Sequence, residues 1–398
     1  MFETLTRVPA DPILGVSAAF QKDDSPIKVD LGVGVYKDDA GRTPVPGAVK
    51  RAEHDLIAAQ TSKSYLSPIG NPGFNLRVAE LVLGADLAGR KSDIAAAQAP
   101  GGSGALRLGA ELVKLARPAA SVHVSDPTWA NHIPLLGSAG LQVERYPYYN
   151  AGRHSVDIDR MLAHLDALPA GSVVVLHACC HNPTGQDLDL AQWSAVAEVV
   201  ARRGLLPYVD IAYQGLGDDL ERDAASVRIL ARAVPEMLVA VSCSKNFGLY
   251  RERTGLLIAV SASAEQAAVN TGQLGRIART IYSMPPDHGA AIVDKVLSTP
   301  TLRTEWTTEL ASMASRINGL RAILASHLTL HTGGADFSWI TRQRGMFSRL
   351  DLSPEQVTRL RDEYHVYMAP DGRINIAGIS ETNVAHVATA VATVARAG

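Results

Sequence analysis

The residues best suited to chemistry lie in one stretch, Ser242-Cys243-Ser244-Lys245, with Arg253 eight residues beyond the lysine. An apolar run, Leu238-Val239-Ala240-Val241, stops abruptly at this point. A strand that ends in two hydroxyls and a lysine, and then supplies an arginine, offers a reactive amine beside an anion site. Pyridoxal phosphate chemistry needs both: an amine to hold an aldehyde as an imine, and hydroxyls and a cation to hold a phosphate. A lysine at a strand end can equally be a solvated surface group, and this stretch alone leaves both readings open.

The elements that would position the lysine are legible upstream. Val173-Val174-Val175-Leu176-His177-Ala178 is a continuous apolar run that leads into Asn182-Pro183-Thr184-Gly185. A helix follows, with Trp193, Val196, Ala197 and Val200 on one face and Gly204 past its end. Residues 205–211 read as the next strand, with Asp210 at its carboxyl end, and a helix over about 224–233 returns the chain to the run before Lys245. Near-continuous apolar strands alternating with helices imply parallel βαβ units buried on both faces, with right-handed crossovers and strands that all point the same way. Ligands bind open α/β sheets at the carboxyl edge. Asn182, Asp210 and Lys245, some 30 residues apart, are therefore expected on one rim. There an aspartate can hold a protonated pyridine nitrogen, an asparagine helped by Tyr213 can hold a ring hydroxyl, and a lysine can form the imine and move a proton. Asp210 as a simple helix N-cap is the bland alternative.

Elsewhere the signals are weaker. Residues 1–12 read as an arm, 13–20 as a short helix, and 27–36 as a strand that opens at Gly32 and Gly34, a simple turn or a close backbone approach. A helix is expected around 47–59 after Pro44 and Pro46. Tyr65 sits in a Pro- and Gly-rich loop, as packing or as a ligand contact. Gly101-Gly102-Ser103-Gly104 opens a helix whose free N–H groups would suit a phosphate. It fails the dinucleotide spacing, because position 107 is arginine. Trp129 and His132 follow a strand at 122–126, and the indole can cap the core or stack on a flat ring. After a strand at 256–260, helices are expected over 264–279, 289–297 and 301–328, the last linking two domains. The final seventy residues read as an α+β module: short strands at 336–340 and 345–348, a capping box at Ser353, and a hairpin of 365–368 with 373–377. Arg373 at the start of that strand reads by itself as an exposed turn arginine.

Composition sets the bounds. The chain has 398 residues, 46% apolar and 20% charged, enough for two or three globular domains. A formal net charge of -2 gives no nucleic-acid footprint. The three cysteines, two of them adjacent, suggest no disulfide framework and fit a reducing cytoplasm. No secretory leader is evident at Met1-Phe2-Glu3-Thr4, and no apolar run reaches the roughly 18–20 residues of a membrane span.

Taken together, the motifs resemble the class I aspartate/aromatic aminotransferases, which are fold-type I pyridoxal phosphate enzymes. They are Leu-Gly-Val-Gly-Val-Tyr at 31–36, Tyr65, Gly-Gly-Ser-Gly-Ala-Leu at 101–106 and Asp-Pro-Thr-Trp-Ala-Asn-His at 126–132. Cys-Cys-His-Asn-Pro-Thr-Gly at 179–185, Asp-Ile-Ala-Tyr-Gln-Gly at 210–215 and Ser-Cys-Ser-Lys-Asn-Phe-Gly-Leu-Tyr at 242–250 continue the series. Tyr-Ser-Met-Pro-Pro at 282–286, Gly-Met-Phe-Ser at 345–348 and Gly-Arg-Ile-Asn-Ile-Ala-Gly at 372–378 complete it. The resemblance covers essentially the whole chain.

It implies an α/β fold with a large cofactor-binding domain (44–312) whose mostly parallel seven-stranded sheet is sandwiched by helices. A smaller α+β domain (13–43 and 313–398) and the arm (1–12) complete the chain. It also implies pyridoxal 5'-phosphate as cofactor, no metal, and a homodimer with shared sites. Lys245 would be the Schiff-base lysine and proton shuttle. Asp210 would pair with the pyridine nitrogen, with His132 behind it, and Asn182 and Tyr213 would hydrogen-bond the ring oxygen. Trp129 would stack on the ring. Gly102, Ser103, Ser242 and Arg253 would hold the phosphate, with Ser244 beside them and Tyr65 arriving from the neighbouring subunit. The substrate would meet Gly34, Trp129 and Asn182. Arg373 would take its α-carboxylate, and Arg279 of the other subunit a distal carboxylate.

The family divides between dicarboxylate and aromatic substrates. Val35, Lys37 and Thr43 look like the aspartate type and Ser103 like the aromatic type. Ser64, Met284 and the loop at 67–73 match neither. Dual specificity with 2-oxoglutarate as acceptor is the expectation. An aspartate-only aminotransferase, a narrow pathway aminotransferase or a lyase on the same scaffold are the alternatives. A non-catalytic regulator on this fold would carry a DNA-binding module, for which the chain has no room.

Overall fold

The computed structural model describes residues 1–7, 12–84 and 90–396, and for 12–14 only the backbone. The chain divides into two compact units. The larger comprises Thr43–Asn182 and Gln186–Ser315, and the smaller Met1–Arg42, Pro183–Gly185 and Arg316–Gly398. Of the Asn-Pro-Thr-Gly motif, expected wholly within the large domain, Pro183–Gly185 belongs to the smaller unit.

Among the described residues the larger unit carries a seven-stranded sheet. Its spatial order is Ile94–Pro100, Thr254–Val260, Met237–Ser242, Leu206–Ile211, Val173–His177, Ser121–Asp126 and Gln142–Pro147. The last five run parallel. Thr254–Val260 is antiparallel to both of its neighbours, the one reversed strand of the expected mostly parallel sheet, while the strands of the βαβ units run parallel as expected. A parallel neighbour would need a long crossover, whereas this strand follows its partner Met237–Ser242 after the short turn that carries Lys245.

Every residue of Met237–Ser242 and Thr254–Val260 is buried, so both faces of the sheet are covered, and the continuous apolar runs are the sequence trace of that burial. The helix Gly101–Ala116 packs against both strands. It is pinned by Tyr208, whose hydroxyl donates to the Ala105 and Leu106 carbonyls at 3.1 and 2.9 Å. Gly109 permits the approach: a β-carbon there would lie 2.1 Å from the Tyr208 hydroxyl.

The smaller unit corrects several sequence readings. The expected strand over 27–36 is only Val29–Asp30, paired parallel with Val366–Tyr367. Arg373–Asn375 pairs antiparallel with Phe347–Arg349. The expected hairpin is thus two strand segments with different distant partners. The expected strand at 336–340 gives way to a single helical turn, Trp339–Arg342. The capping box at Ser353 is present and opens the helix Pro354–Tyr364. The long helix runs Pro300–Thr332, and the division between the units falls within it. Among the described residues no helix is long and apolar enough to cross a membrane.

Arg321, fully buried, ties down the smaller unit's 340–348 segment. Its guanidinium donates to Ser348 Oγ at 2.9 Å and to the carbonyls of Gly345 and Phe347, both at 2.6 Å.

Candidate active site

The parallel register brings the predicted rim together. His177 pairs with Asp210, and Asp210 with Ala240, at the carboxyl ends of three adjacent strands. Beyond those ends lies a cavity of about 230 Å³. Gly102, Ser103, Trp129, Asn182, Asp210, Tyr213, Ser242, Ser244, Lys245 and Arg253 all line it.

Lys245 sits in the turn that follows Met237–Ser242. The Ser244 N–H donates to Ser242 Oγ at 3.3 Å. Trp306, completely buried, donates its indole N–H to the Asn246 carbonyl at 2.7 Å and stacks on Phe247 with ring centres 4.4 Å apart. The lysine backbone is thereby fixed by core packing while its amine stands in the cavity, 4.8 Å from the centre of the Tyr213 ring.

Asp210 is the acidic pole. Burial pushes its carboxyl up, but the His132 hydrogen bond and the positive potential of His132 and Lys245 outweigh burial and hold it below the ordinary range. His132 Nε2 stands 3.1 Å from Asp210 Oδ2, and its Nδ1 2.8 Å from Thr128 Oγ1. Trp129 meets the His132 ring edge-on at 5.3 Å. His177 Nε2 lies 3.5 Å from His132 Nδ1, and burial pushes the His177 imidazole down to about 3. His181, at 4.2 Å from the His177 ring, is held neutral by burial as well. Asp210 therefore remains an anion held by His132, with His177 and His181 kept neutral behind them.

Opposite it is an anion cradle. The helix Gly101–Ala116 begins without a side-chain cap, because Pro100 supplies none, so its first N–H groups face the cavity end unsatisfied by the chain's own N-cap. Arg253 passes so close that a β-carbon on Gly101 would lie 2.5 Å from its Nη2, and Gly101 has φ +73°. A β-carbon on Gly102 would lie 3.1 Å from that of Ser242. Both glycines let backbone, hydroxyl and guanidinium converge on one point, with a formal positive charge and a helix dipole aimed at it.

Other predicted residues stand apart. Tyr65 is 90% exposed and Arg279 is exposed, its Nη1 3.4 Å from Ser283 Oγ, and neither lines this cavity. Arg373 and Gly34 belong to the smaller unit. There the Arg373 guanidinium lies 4.4 Å above the Phe347 ring and its Nη2 donates to the Gly32 carbonyl at 3.0 Å. A β-carbon on Gly34 would lie 2.7 Å from the same ring, which explains why glycine stands there. Sequence reasoning gave no role to His177, Cys179 or Cys180, which also line the cavity. The signal was available for His177, the last residue of an apolar strand next to the one that carries Asp210.

Comparison with known proteins agrees with this geometry. The family model for class I and II aminotransferases matches residues 26–391. The aromatic-amino-acid aminotransferase of Paracoccus denitrificans is 46% identical over 98% of this chain and 99% of its own. The aspartate aminotransferase of Escherichia coli is 43% identical over 99% and 100%. Among solved structures, the aromatic-amino-acid aminotransferase from Burkholderia pseudomallei, covalently bound to pyridoxal phosphate, superposes with a TM-score of 0.96 at 45% identity over 99% of both chains.

Proposed function

The chain belongs to the class I and II aminotransferases, and on that premise we propose that it moves the amino group of an aromatic amino acid or aspartate to 2-oxoglutarate, by a ping-pong cycle with pyridoxal 5'-phosphate held at Lys245. The observation that carries this is the convergence, in one cavity, of an amine, a buried carboxylate kept anionic and an uncapped helix N-terminus beside Arg253.

The residues present fit the cofactor. Gly102, Ser103, Ser242 and Arg253 would hold its phosphate, with Ser244 next to them, and Lys245 its aldehyde. Asp210, backed by His132, would hold the proton on the pyridine nitrogen, Asn182 and Tyr213 the ring oxygen, and Trp129 one ring face. Bound there, pyridoxal phosphate supplies a protonated aromatic ring that accepts the electron pair of the substrate's breaking α C–H bond.

The chain's own groups do the rest. Lys245 Nζ would take the substrate's α proton and hand it on to the carbon that carries the cofactor's aldehyde, across the intervening nitrogen. Tyr213, whose ring lies beside that amine, keeps it directed at the cavity. Asp210 stays charged throughout because the positive potential around it outweighs its burial. Arg373, whose guanidinium lies over the Phe347 ring at 4.4 Å, would offer a pair of N–H donors to the α-carboxylate, and Gly34 leaves room beside that ring.

We assign Tyr65 and Arg279 to a neighbouring subunit's site in a homodimer, Tyr65 to the phosphate and Arg279 to a distal carboxylate. Their exposure in their own chain, and that of Phe2, Leu5 and Leu66, supports this. Three unbridged cysteines suit a reducing, cytoplasmic compartment. Val35, Lys37 and Thr43 favour dicarboxylates and Ser103 aromatic substrates, hence the dual assignment.

Purified holoenzyme, assayed with aspartate, tyrosine and phenylalanine against 2-oxoglutarate, tests it. Glutamate formation from aspartate and from at least one aromatic donor is expected. Turnover of aspartate alone would reduce the activity to that of an aspartate aminotransferase, and ammonia release without glutamate would replace it with a lyase.

A further inference from the structure

Cys179 and Cys180 are adjacent, buried to 6% and 2% exposure, and on the wall of the cavity. The backbone around them is clamped. Cys180 has φ +53°, its N–H and that of His181 donate to the Asp187 carboxylate at 2.6 and 2.8 Å, and Ser226 Oγ donates to the Ala178 carbonyl at 2.9 Å. The proposed reaction uses neither thiol. Asp223, from the other side, is also buried, and the two sulfurs and a carboxylate oxygen of Asp223 lie within 4.8 Å of one another. A second feature joins them. A β-carbon on Gly217 would lie 3.1 Å from Cys180 Sγ and 2.7 Å from Asp223 Oδ1, so only the lack of a side chain there lets the sulfur and the carboxylate approach the same stretch of backbone.

We propose that Cys179, Cys180 and Asp223, packed together against Gly217, form a binding site for a thiophilic divalent cation of the Zn²⁺ or Cd²⁺ class. Two sulfurs and one carboxylate oxygen are a donor set of that class, and a separation of this order lets one ion reach all three. Asp223 Oδ2 already accepts from the Gly215 and Gly217 N–H groups and Oδ1 from that of Asp218. The carboxylate is therefore fixed in place, and Oδ1, with one backbone donor against two, keeps a lone pair for the ion. Capture forms two metal–thiolate bonds and breaks two S–H bonds, with both protons released to solvent and no electron transferred. The Cys180 hydrogen bond, together with burial, pushes the Cys179 thiol up, so the ion must displace those protons. Because both cysteines line the cavity that holds Lys245, an occupied site lowers turnover.

Cd²⁺ titrated into the holoenzyme tests this. Expected are about one ion per chain, a thiolate-to-metal charge-transfer band in the ultraviolet, and about two protons released per ion. Cys180→Ser and Gly217→Ala each weaken binding by about tenfold or more, while Cys243→Ser, which alters a buried thiol outside the cluster, leaves it unchanged. Should Gly217→Ala fail to fold, Asp223→Asn gives the same reading. A thiolate band formed at unchanged Cd²⁺ concentration in Cys180→Ser, or Cd²⁺ binding without a thiolate band, as at His132, His177 and Asp210, overturns the assignment.

Discussion

At the scale of single residues, the chemistry depends on Asp210 being an anion while burial keeps the nearby His177 imidazole neutral. His177 makes this measurable. Its imidazole titrates near 3 in the folded chain against about 6.5 when unfolded. Between those values the unfolded state binds more protons, so stability rises with pH through this window and is lost on acidification. From pH 7 to pH 5 this one group removes at most about 2 kcal/mol, from the linkage of about 1.36 kcal/mol per pH unit. Urea unfolding of the wild type and of His177→Gln at the two pH values is expected to show a smaller gap in the variant. Equal gaps would mean that His177 is not held neutral. Lys245, Asp210 and Asn182 were legible as a set because residue type and strand-end position coincide. His177 was not, because a histidine ending an apolar run reads equally well as core.

At the scale of elements, the site is as good as the contacts that aim it. The helix whose N-terminus forms the anion cradle is held by Tyr208 at a distance only glycine 109 allows. Gly109→Ala places a methyl group against that hydroxyl and pushes the helix off the sheet. Overpacking of this kind costs about 1–3 kcal/mol, and pyridoxal phosphate affinity is expected to fall with it, read by fluorescence titration of the apoenzyme. Unchanged affinity would show that the helix does not carry the cradle. The parallel strands were readable because strands buried on both faces are written as unbroken apolar runs. The edge strands Ile94–Pro100 and Gln142–Pro147 were not. The first is mostly alanine, which has little strand preference, and the second carries the charged pair Glu144 and Arg145 on an exposed edge. The misread hairpin has another cause. Val366–Tyr367 and Arg373–Asn375 pair with segments distant in sequence, Val29–Asp30 and Phe347–Arg349, and no local pattern announces a distant partner. Arg321 was overlooked for the same reason, since nothing local shows that six turns of helix lead to a carbonyl cage.

At the scale of the whole molecule, the proposal distributes work over two units and two chains. The larger unit holds the cavity, the smaller one holds Arg373 ready on Phe347, and a second chain is assigned Tyr65 and Arg279. If Arg279 meets a distal carboxylate, Arg279→Ala removes one charge-assisted contact, about 1.5–3 kcal/mol, or roughly 10- to 150-fold in kcat/KM for aspartate. Phenylalanine, which has no such group, is expected to lose less than about tenfold. Equal losses for the two substrates would remove Arg279 from the substrate site.

The central claim, that Lys245 holds the cofactor and moves the proton, is tested most directly by borohydride reduction of the holoenzyme followed by peptide mass mapping. The account predicts the reduced cofactor on Lys245 and on no other lysine, and no labelling in Lys245→Ala, which still binds pyridoxal phosphate but does not transaminate. Label on another lysine, or full turnover in Lys245→Ala, would contradict it.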